Sequence, residues 1–191
     1  LGVFYPLIFQ ALAQQTESLI YEIGAQFQLE GHIISTEVHG NGNVNDTFLL
    51  FCEDEDSLNR YTLQRINHEV FKDPEGLMNN FSRVTRHLQA KIEEERSSKE
   101  CLRVVSARDG RAFHRDSDGN FWRVTRFVDG GRSYDVPEND RQAYEAAKAY
   151  GEFQAKLSDM PGEPLLDTIP DFHNTRMRFE NFRTAVERDE A

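Results

Sequence analysis

One stretch of the chain, Gly40-Asn41-Gly42-Asn43-Val44-Asn45-Asp46-Thr47, combines residue types that are suited to binding an anion. Glycine permits positive φ and a close approach of the backbone, and asparagine side chains fix turns or donate hydrogen bonds. Residues that favour β-structure lie on both sides, so the stretch predicts either a loop that covers phosphate groups or a tight Asn-Gly hairpin turn without a ligand. The stretch alone does not separate these two interpretations.

Gln64 lies near the end of a later β-rich run, at the place where kinases carry a lysine that binds nucleotide phosphates. The local sequence Tyr61-Thr62-Leu63-Gln64-Arg65 contains no lysine. Either Gln64 makes a neutral contact there, or Arg65 provides the charge if the register differs by one residue. Neighbours on a strand point to opposite faces, so the two side chains do not share one site. A third interpretation is that these residues face solvent on a small sheet.

An apolar segment runs into a flexible glycine pair at Trp122-Arg123-Val124-Thr125-Arg126-Phe127-Val128-Asp129-Gly130-Gly131. Such a segment is expected where the backbone of a connector between two lobes hydrogen-bonds to an adenine ring. Backbone contacts leave little signature in the side chains. A plain strand followed by a loop therefore remains the alternative interpretation.

Hydrophobic periodicity predicts the elements that position these segments. They are a helix over Leu19–Leu29, strands over Ile33–His39, Val44–Cys52 and Arg60–Ile66, a helix from Pro74 to Lys91 or beyond with Asp73 as its N-cap, extended segments over Leu102–Ser106 and Asn120–Val128, and helices over Glu138–Leu157 and Arg176–Arg188. This order predicts an α+β fold, with a kinase-like small lobe of about five antiparallel strands plus helices, followed by the first helices of a truncated large lobe. We place the lobe boundary between 1–129 and 130–191.

The charge of the chain restricts its partners. The sequence has 22 Lys and Arg against 33 Asp and Glu, a formal net charge of −11, which repels nucleic acid and anionic membranes but still allows a local nucleotide pocket. Cys52 and Cys101 have no metal-ligand spacing and are typical of reduced thiols in a cytoplasmic protein. The apolar segment Leu1–Leu12 is too short to span a bilayer. We therefore expect a cytoplasmic protein without a nucleic-acid or membrane partner.

Several segments together resemble one group of enzymes. In chain order they are Gly40-x-Gly42-x-Val44-Asn45-x-Thr47-Phe48, Tyr61-x-Leu63-Gln64, Leu77-Met78-x-Asn80 with Val84-Thr85, Trp122-Arg123-Val124, Ser133-Tyr134, Gly151-x-Phe153-Gln154 and Phe172-His173-x-Thr175-x-x-Arg178-Phe179. With them the chain resembles the N-terminal part of the N-acetylhexosamine 1-kinase group, in the aminoglycoside-phosphotransferase-like (protein-kinase-like) superfamily. Gln64 is itself typical of that group.

The resemblance implies an ATP-dependent small-molecule kinase. Its acceptor would be the anomeric hydroxyl of an N-acetylhexosamine, GlcNAc or GalNAc, and its product the sugar 1-phosphate. ATP and a small sugar are the implied partners, and Mg²⁺ would arrive with ATP. We assign nucleotide contacts to the glycine turn, the third strand and the crossover, at Gly40, Asn41, Gly42, Asn43, Asn45, Thr47, Gln64, Arg126, Phe127 and Val128.

The residues that would perform phosphoryl transfer do not occur in the expected pattern. Kinases of this type use a catalytic-loop Asp, an Asn that holds Mg²⁺ and a later metal-binding Asp. The nearest string, His173-Asn174-Thr175, has Thr where the H-x-D pattern requires Asp, and Glu180 stands where the Asn is expected. We therefore expect the catalytic residues and the Mg²⁺ ligands beyond Ala191, and we predict that this chain is inactive alone.

His173, Thr175 and Arg178 are weaker candidates, for contacts with the acceptor sugar or between lobes. The alternative is an N-cap and salt-bridge cluster that opens the last helix. The helix over Glu138–Leu157 carries an apolar stripe that would pack against a second lobe, and an exposed stripe promotes association. A homo-oligomer or a swapped dimer is a corollary hypothesis.

Two other functions compete with the sugar kinase. The same superfold serves kinases for other small alcohols, of the aminoglycoside, choline or homoserine type, so the substrate is inferred by analogy. The second competitor is a noncatalytic module that binds nucleotide or a protein partner. ATP binding without turnover would favour this module.

Overall fold

The computed structural model describes residues 16–40, 44–97, 99–131, 134 and 136–189. Over these ranges the chain forms a six-stranded sheet and helices that pack on it or follow it. The strands are β1 (His32–Val38), β2 (Asp46–Glu53), β3 (Leu58–Ile66), β4 (Val104–Val105), β5 (His114–Arg115) and β6 (Phe121–Arg126), and the helices are α1 (helical over 16–24), α2 (Pro74–Glu94), α3 (Asp140–Leu157) and α4 (Thr175–Glu187).

The sheet is antiparallel throughout, with the strand order β1-β2-β3-β6-β4 and with β5 paired to β6. α2 lies between β3 and β4 in the chain. This is an α+β fold, so the predicted fold class is confirmed, and its elements follow the order that the sequence predicts. The sixth strand is β5, which lies inside the turn-rich stretch 111–119 and, with two residues, is too short for hydrophobic periodicity to reveal.

Each strand divides its side chains between the two faces of the sheet, because successive residues point in opposite directions. Leu63 and Val124 are fully buried on one face, in a core that includes Ile20 of α1. We call this the α1 face. On the other face, the α2 face, Ile66 packs in a second core with Met78 of α2. Burial stabilises by about 1.5–3 kcal/mol for each such side chain, and this fixes the register of the strands.

The first helix is shorter than the sequence predicts, because it ends at Gly24 and does not continue over Leu19–Leu29. A Cβ at Gly24 would lie 2.6 Å from Cδ1 of Ile33, so glycine allows the end of α1 to approach the sheet closely. The backbone then leaves the helix, and Phe27 forms an isolated antiparallel bridge with Ala107. The apolar spacing continues beyond the helix because the Phe27 ring still fills the core, with 1% of its surface exposed.

The start of α2 follows the sequence prediction. Asp73 is the N-cap, and its Oδ1 accepts a hydrogen bond of 2.8 Å from the backbone N–H of Gly76. Pro74 occupies the first turn, where its missing N–H costs nothing. α2 ends at Glu94, a turn beyond the minimum extent that the periodicity indicates.

Polar side chains along α2 hold the segment that follows α3. Asn80 donates to the Leu166 carbonyl at 2.8 Å and accepts from the Leu166 N–H at 3.0 Å. The other contacts of this kind join Arg83 to the Glu163 carbonyl at 2.6 Å, His87 to the Lys156 carbonyl at 2.8 Å, and Lys91 to the Asp159 carboxylate. These contacts explain a polar face on a helix whose opposite side is buried.

α3 and α4 contain no buried residue. Large aromatic side chains on both helices are exposed, among them Tyr144, Tyr150, Phe179 and Phe182. The oligomer that the sequence predicts from such a surface stays a prediction. Within the residues described above, no helix combines the length and the apolar character needed to cross a membrane.

We expect Asp73→Ala to lower the free energy of unfolding by about 0.5–2 kcal/mol, because the Gly76 N–H loses its acceptor. Urea denaturation checks this value. Asp73→Asn is the matched control, since asparagine caps helices as well as aspartate does, and it should remain close to the wild type. Equal midpoints for the wild type and the alanine variant would contradict the capping role.

Candidate functional site

Three polar side chains lie side by side on the α2 face of the sheet. The register pairs Thr47 of β2 with Gln64 of β3, and Gln64 with Arg123 of β6. Gln64 Nε2 donates to Thr47 Oγ1 at 3.0 Å, and Arg123 Nε donates to Gln64 Oε1 at 3.0 Å. We call Thr47, Gln64 and Arg123 the polar ladder. It crosses three adjacent strands and ends in a positive charge.

The structure places Gln64 and Arg65 on opposite faces of the sheet. Gln64 belongs to the polar ladder on the α2 face, whereas Arg65 points to the α1 face, where it forms an ion pair with Asp46. The Arg65 guanidinium also lies 6.0 Å from the centre of the Trp122 ring. The charge of Arg65 is therefore neutralised on the side of the sheet opposite to Gln64, and the nucleotide contact of Gln64 stays a prediction.

Arg123 is the member of the ladder that sequence reasoning did not assign. Its guanidinium lies over the Phe81 ring of α2, 4.6 Å from the ring centre. Burial lowers the pKa of this guanidinium, and no carboxylate among the described residues compensates for the burial. In contrast, Arg60 and Arg126 on the same pair of strands each form an ion pair. Only the pairing of β3 with β6 brings Arg123 to Gln64, and this pairing is not readable from the sequence.

The glycine turn is described at its two ends, and the predicted site residues Asn41, Gly42 and Asn43 lie outside the described residues. Gly40 has a φ of +76°, which L-residues rarely adopt, and open space surrounds the position of a Cβ. Asn45 Oδ1 accepts a hydrogen bond of 3.0 Å from the Asn67 backbone N–H. The side chain of Asn45 thus ties the start of β2 to the end of β3.

The crossover after β6 presents one of its three assigned residues to the α2 face. Phe127 lies there, with its backbone N–H bonded to the Arg60 carbonyl at 3.0 Å and the Arg60 guanidinium 4.7 Å from its ring centre. The Arg126 side chain pairs with Glu30, and its backbone N–H donates to a neighbouring carbonyl, so both groups are engaged elsewhere. Val128 is 36% exposed.

The glycine turn and the crossover meet across the α2 face. His39, next to Gly40, places its ring 6.1 Å from the Phe127 ring, and the two planes are nearly perpendicular, at 83°. The strands that carry these rings are separated by β2 and β3, so the sheet must curve towards its α2 face. The two predicted ends of the nucleotide site therefore face each other.

A cavity of about 440 Å³ borders the same turn on the α1 side. Its lining includes Ile20 of α1, Val38 and Phe48 of the β1–β2 hairpin, and the Arg65–Asp46 ion pair. The charges there are already paired. On the α2 face, by contrast, Arg123 has no carboxylate partner among the residues that the structure describes.

The weaker candidates His173, Thr175 and Arg178 lie together at the start of α4. Asn174 is the N-cap, and its Oδ1 accepts from the Met177 backbone N–H at 3.0 Å. The Arg178 guanidinium lies 4.8 Å from the centre of the Phe172 ring, whose edge contacts the His173 ring. These contacts belong to a capping cluster, and no described contact joins it to the polar ladder.

The turn before β6 fixes the strand that carries Arg123. Asp116 accepts hydrogen bonds from Trp122 Nε1 at 2.7 Å and from the Asn120 backbone N–H at 2.8 Å. Burial acts to raise the pKa of the Asp116 carboxyl, but the hydrogen bonds from Trp122 and Asn120 and from the backbone outweigh it, so the pKa is lowered. The ionised form of Asp116 therefore stabilises the fold.

No protein-family model matches the chain. Among solved structures, the chain is similar to spectinomycin phosphotransferase APH(9)-Ia, which was crystallised in complex with ADP and spectinomycin. The identity is 12% and the TM-score 0.45, over 78% of this chain and 38% of that enzyme. The chain thus spans less than half the length of that protein, and its own substrate stays a matter for proposal.

The low pKa of Asp116 predicts a pH-dependent contribution to stability. Because the folded pKa lies below the ordinary aspartate value of 3.8, the contribution is complete above pH 3.8 and is lost as the pH falls through the folded value. We expect Asp116→Asn to be less stable than the wild type at neutral pH, with a difference that shrinks in acid. Fluorescence of Trp122, the single tryptophan, follows urea unfolding at each pH. A difference that does not change with pH would contradict the assignment.

Proposed function

We propose that the chain forms the ATP-binding lobe of a small-molecule phosphotransferase. The observation that carries the proposal is the α2 face itself, where the polar ladder lies between Gly40, whose φ is +76°, and the crossover, and where His39 contacts Phe127. ATP needs N–H donors and positive charge at its phosphate end and an apolar surface at its adenine end. On the α2 face the polar ladder, which ends in a positive charge, would supply the first, and the Phe127 ring would supply the second.

Each part of the face has a distinct role in this proposal. The backbone around Gly40 would cover the phosphates, because glycine permits the close approach that an anion requires. Gln64 would donate its amide to a phosphate oxygen or orient the neighbouring guanidinium. The Phe127 ring and the backbone that follows it would hold the adenine. Positioning and charge neutralisation are the main contributions of a protein to phosphoryl transfer.

Mg²⁺ belongs to the proposed reaction but not to the described residues. Over the described ranges, no group of three or more His, Cys, Asp or Glu side chains is arranged to hold a metal ion. We therefore derive no step through Mg²⁺ from this lobe. A catalytic-loop aspartate is likewise absent from the sequence, since Thr175 stands at the aspartate position of the nearest H-x-D string and begins α4.

For the acceptor we propose the anomeric hydroxyl of an N-acetylhexosamine. This choice rests on the sequence segments that resemble the N-acetylhexosamine 1-kinase group, including Gln64 within Tyr61-x-Leu63-Gln64. Another of those segments, Leu77-Met78-x-Asn80, has a structural role, because the Asn80 side chain holds the backbone at Leu166. A kinase for another small alcohol would use the same α2 face and differ only in the acceptor.

A second candidate function is a noncatalytic nucleotide-binding module. The observation in its favour is the capping cluster at the start of α4, which occupies the nearest match to a catalytic loop with structural contacts. Such a module would bind ATP on the α2 face without turnover. Binding experiments and activity assays therefore test different parts of the proposal.

We predict that the chain binds ATP and that Gln64→Leu weakens this binding by about 2- to 12-fold, the usual worth of one neutral hydrogen bond. Isothermal titration calorimetry measures both affinities. Arg65→Met is the matched control, because Arg65 is the next residue of β3 and points to the α1 face. Equal weakening by both variants, or no binding of ATP by the wild type, would reject the α2 face as the nucleotide site.

We further predict that a polypeptide containing this chain together with a catalytic-loop aspartate forms GlcNAc 1-phosphate or GalNAc 1-phosphate from ATP. The 191-residue chain alone should form neither, because it lacks the group that orients the acceptor hydroxyl. A panel of hexosamines, aminoglycosides, choline and homoserine with detection of ADP and product measures this. Turnover with another alcohol and none with hexosamines would reject the N-acetylhexosamine as the acceptor and would still support a kinase.

A further inference from the structure

The cation that phosphate binding requires does not come from β3. In the kinase pattern the charge stands on the third strand, and in this chain Gln64 occupies that position. Arg123 on the neighbouring strand is paired with Gln64 in the register, and its Nε donates to Gln64 Oε1 at 3.0 Å. The positive charge is therefore present in the ladder, one strand away from the place where the pattern has it.

Arg123 is held in a way that leaves its terminal nitrogens free. Nε is used by Gln64, which Thr47 holds in turn, and the flat side of the guanidinium lies against the Phe81 ring. None of the described residues accepts a hydrogen bond from either terminal Nη group or supplies a carboxylate within ion-pair distance. Two adjacent Nη groups in a plane match two oxygens of one phosphate, a geometry that lysine does not offer.

The same arrangement is unfavourable without an anion. Arg123 is half-buried, and its described partners, the Gln64 amide and the Phe81 ring, are both neutral. A partly desolvated cation without a negative partner recovers only part of its lost hydration. Arg60, Arg65 and Arg126 on the same strands each have a carboxylate partner. A half-buried arginine without a carboxylate partner among the described residues is suited to a ligand that brings the negative charge.

We propose that Arg123 is the phosphate-binding cation of the site, anchored by Gln64 and Phe81, and that it contacts the β- or γ-phosphate of the nucleotide through its two Nη groups. This inference rests on the proposed nucleotide site on the α2 face and names the residue that supplies its charge. Gln64 then acts as a positioning residue for the guanidinium. It follows that adenosine, which carries no phosphate, is bound without any help from Arg123.

Arg123→Met tests the inference, because methionine keeps an apolar stem against Phe81 and removes the charge. Calorimetry with ATP and with adenosine on the wild type, Arg123→Met and the control Arg65→Met gives the comparison. We expect Arg123→Met to weaken ATP binding by about 10- to 150-fold, the worth of a charged hydrogen bond, with adenosine affinity unchanged. The control should bind both ligands as the wild type does.

The outcomes separate the two proposals. The role of Arg123 is overturned if Arg123→Met binds ATP as tightly as the wild type does, or if the variant loses affinity for ATP and adenosine equally. Either result leaves the proposed nucleotide site intact. Absence of ATP binding by the wild type overturns both. If Arg123→Met does not fold, phenylglyoxal labelling of the wild type with mass spectrometry decides. ATP should protect Arg123 from labelling and adenosine should not, because only ATP brings a phosphate to the guanidinium. Equal labelling of Arg123 with the two ligands overturns the inference.

Discussion

The pairing of β3 with β6 is the constraint on which the rest of the site depends. In this register Leu63 and Val124 are buried on the α1 face, and Gln64 and Arg123 consequently share the α2 face. A slip of one residue would expose the two apolar side chains and bury the two polar ones, at a cost of several kcal/mol. The hydrophobic core therefore determines where the polar ladder lies, although no member of the ladder belongs to that core.

α2 completes the site by covering one end of the ladder and leaving the other end open. Phe81 lies against the guanidinium of Arg123, and Met78 packs with Ile66 at the end of β3. The opposite side of the same helix binds the backbone at Leu166 through Asn80. One helix thus contacts the sheet, the half-buried Arg123 and the segment after α3, so a movement of α2 would alter all three contacts.

The sequence predicts well those features that depend on neighbouring residues. The N-cap at Asp73 and the extent of α2 and of the three long strands follow from local patterns, and the structure agrees with them. Features that depend on contacts between distant residues are missed. Periodicity wrongly extends α1 through Phe27, because the Phe27 ring is buried in the core although its backbone has left the helix and pairs with Ala107.

The candidate site likewise separates features that local sequence predicts from features that depend on distant contacts. The sequence leaves Gln64 and Arg65 as alternatives, because strand alternation separates the two side chains but does not say which face is which. It does not assign Arg123, since the importance of this residue depends on which strand pairs with β3. His173 and Arg178 are grouped correctly by sequence proximity, yet the structure places them in a capping cluster that makes no described contact with the ladder.

The most direct test of the central claim is to map where a photoreactive nucleotide attaches. 8-Azido-ATP carries its reactive group on the adenine, and mass spectrometry of the labelled peptides locates the ring. Our account predicts labelling at and just after Phe127, on the α2 face, and competition of this labelling by ATP. Labelling of Ile20 or Val38, which line the cavity on the α1 side, would contradict it.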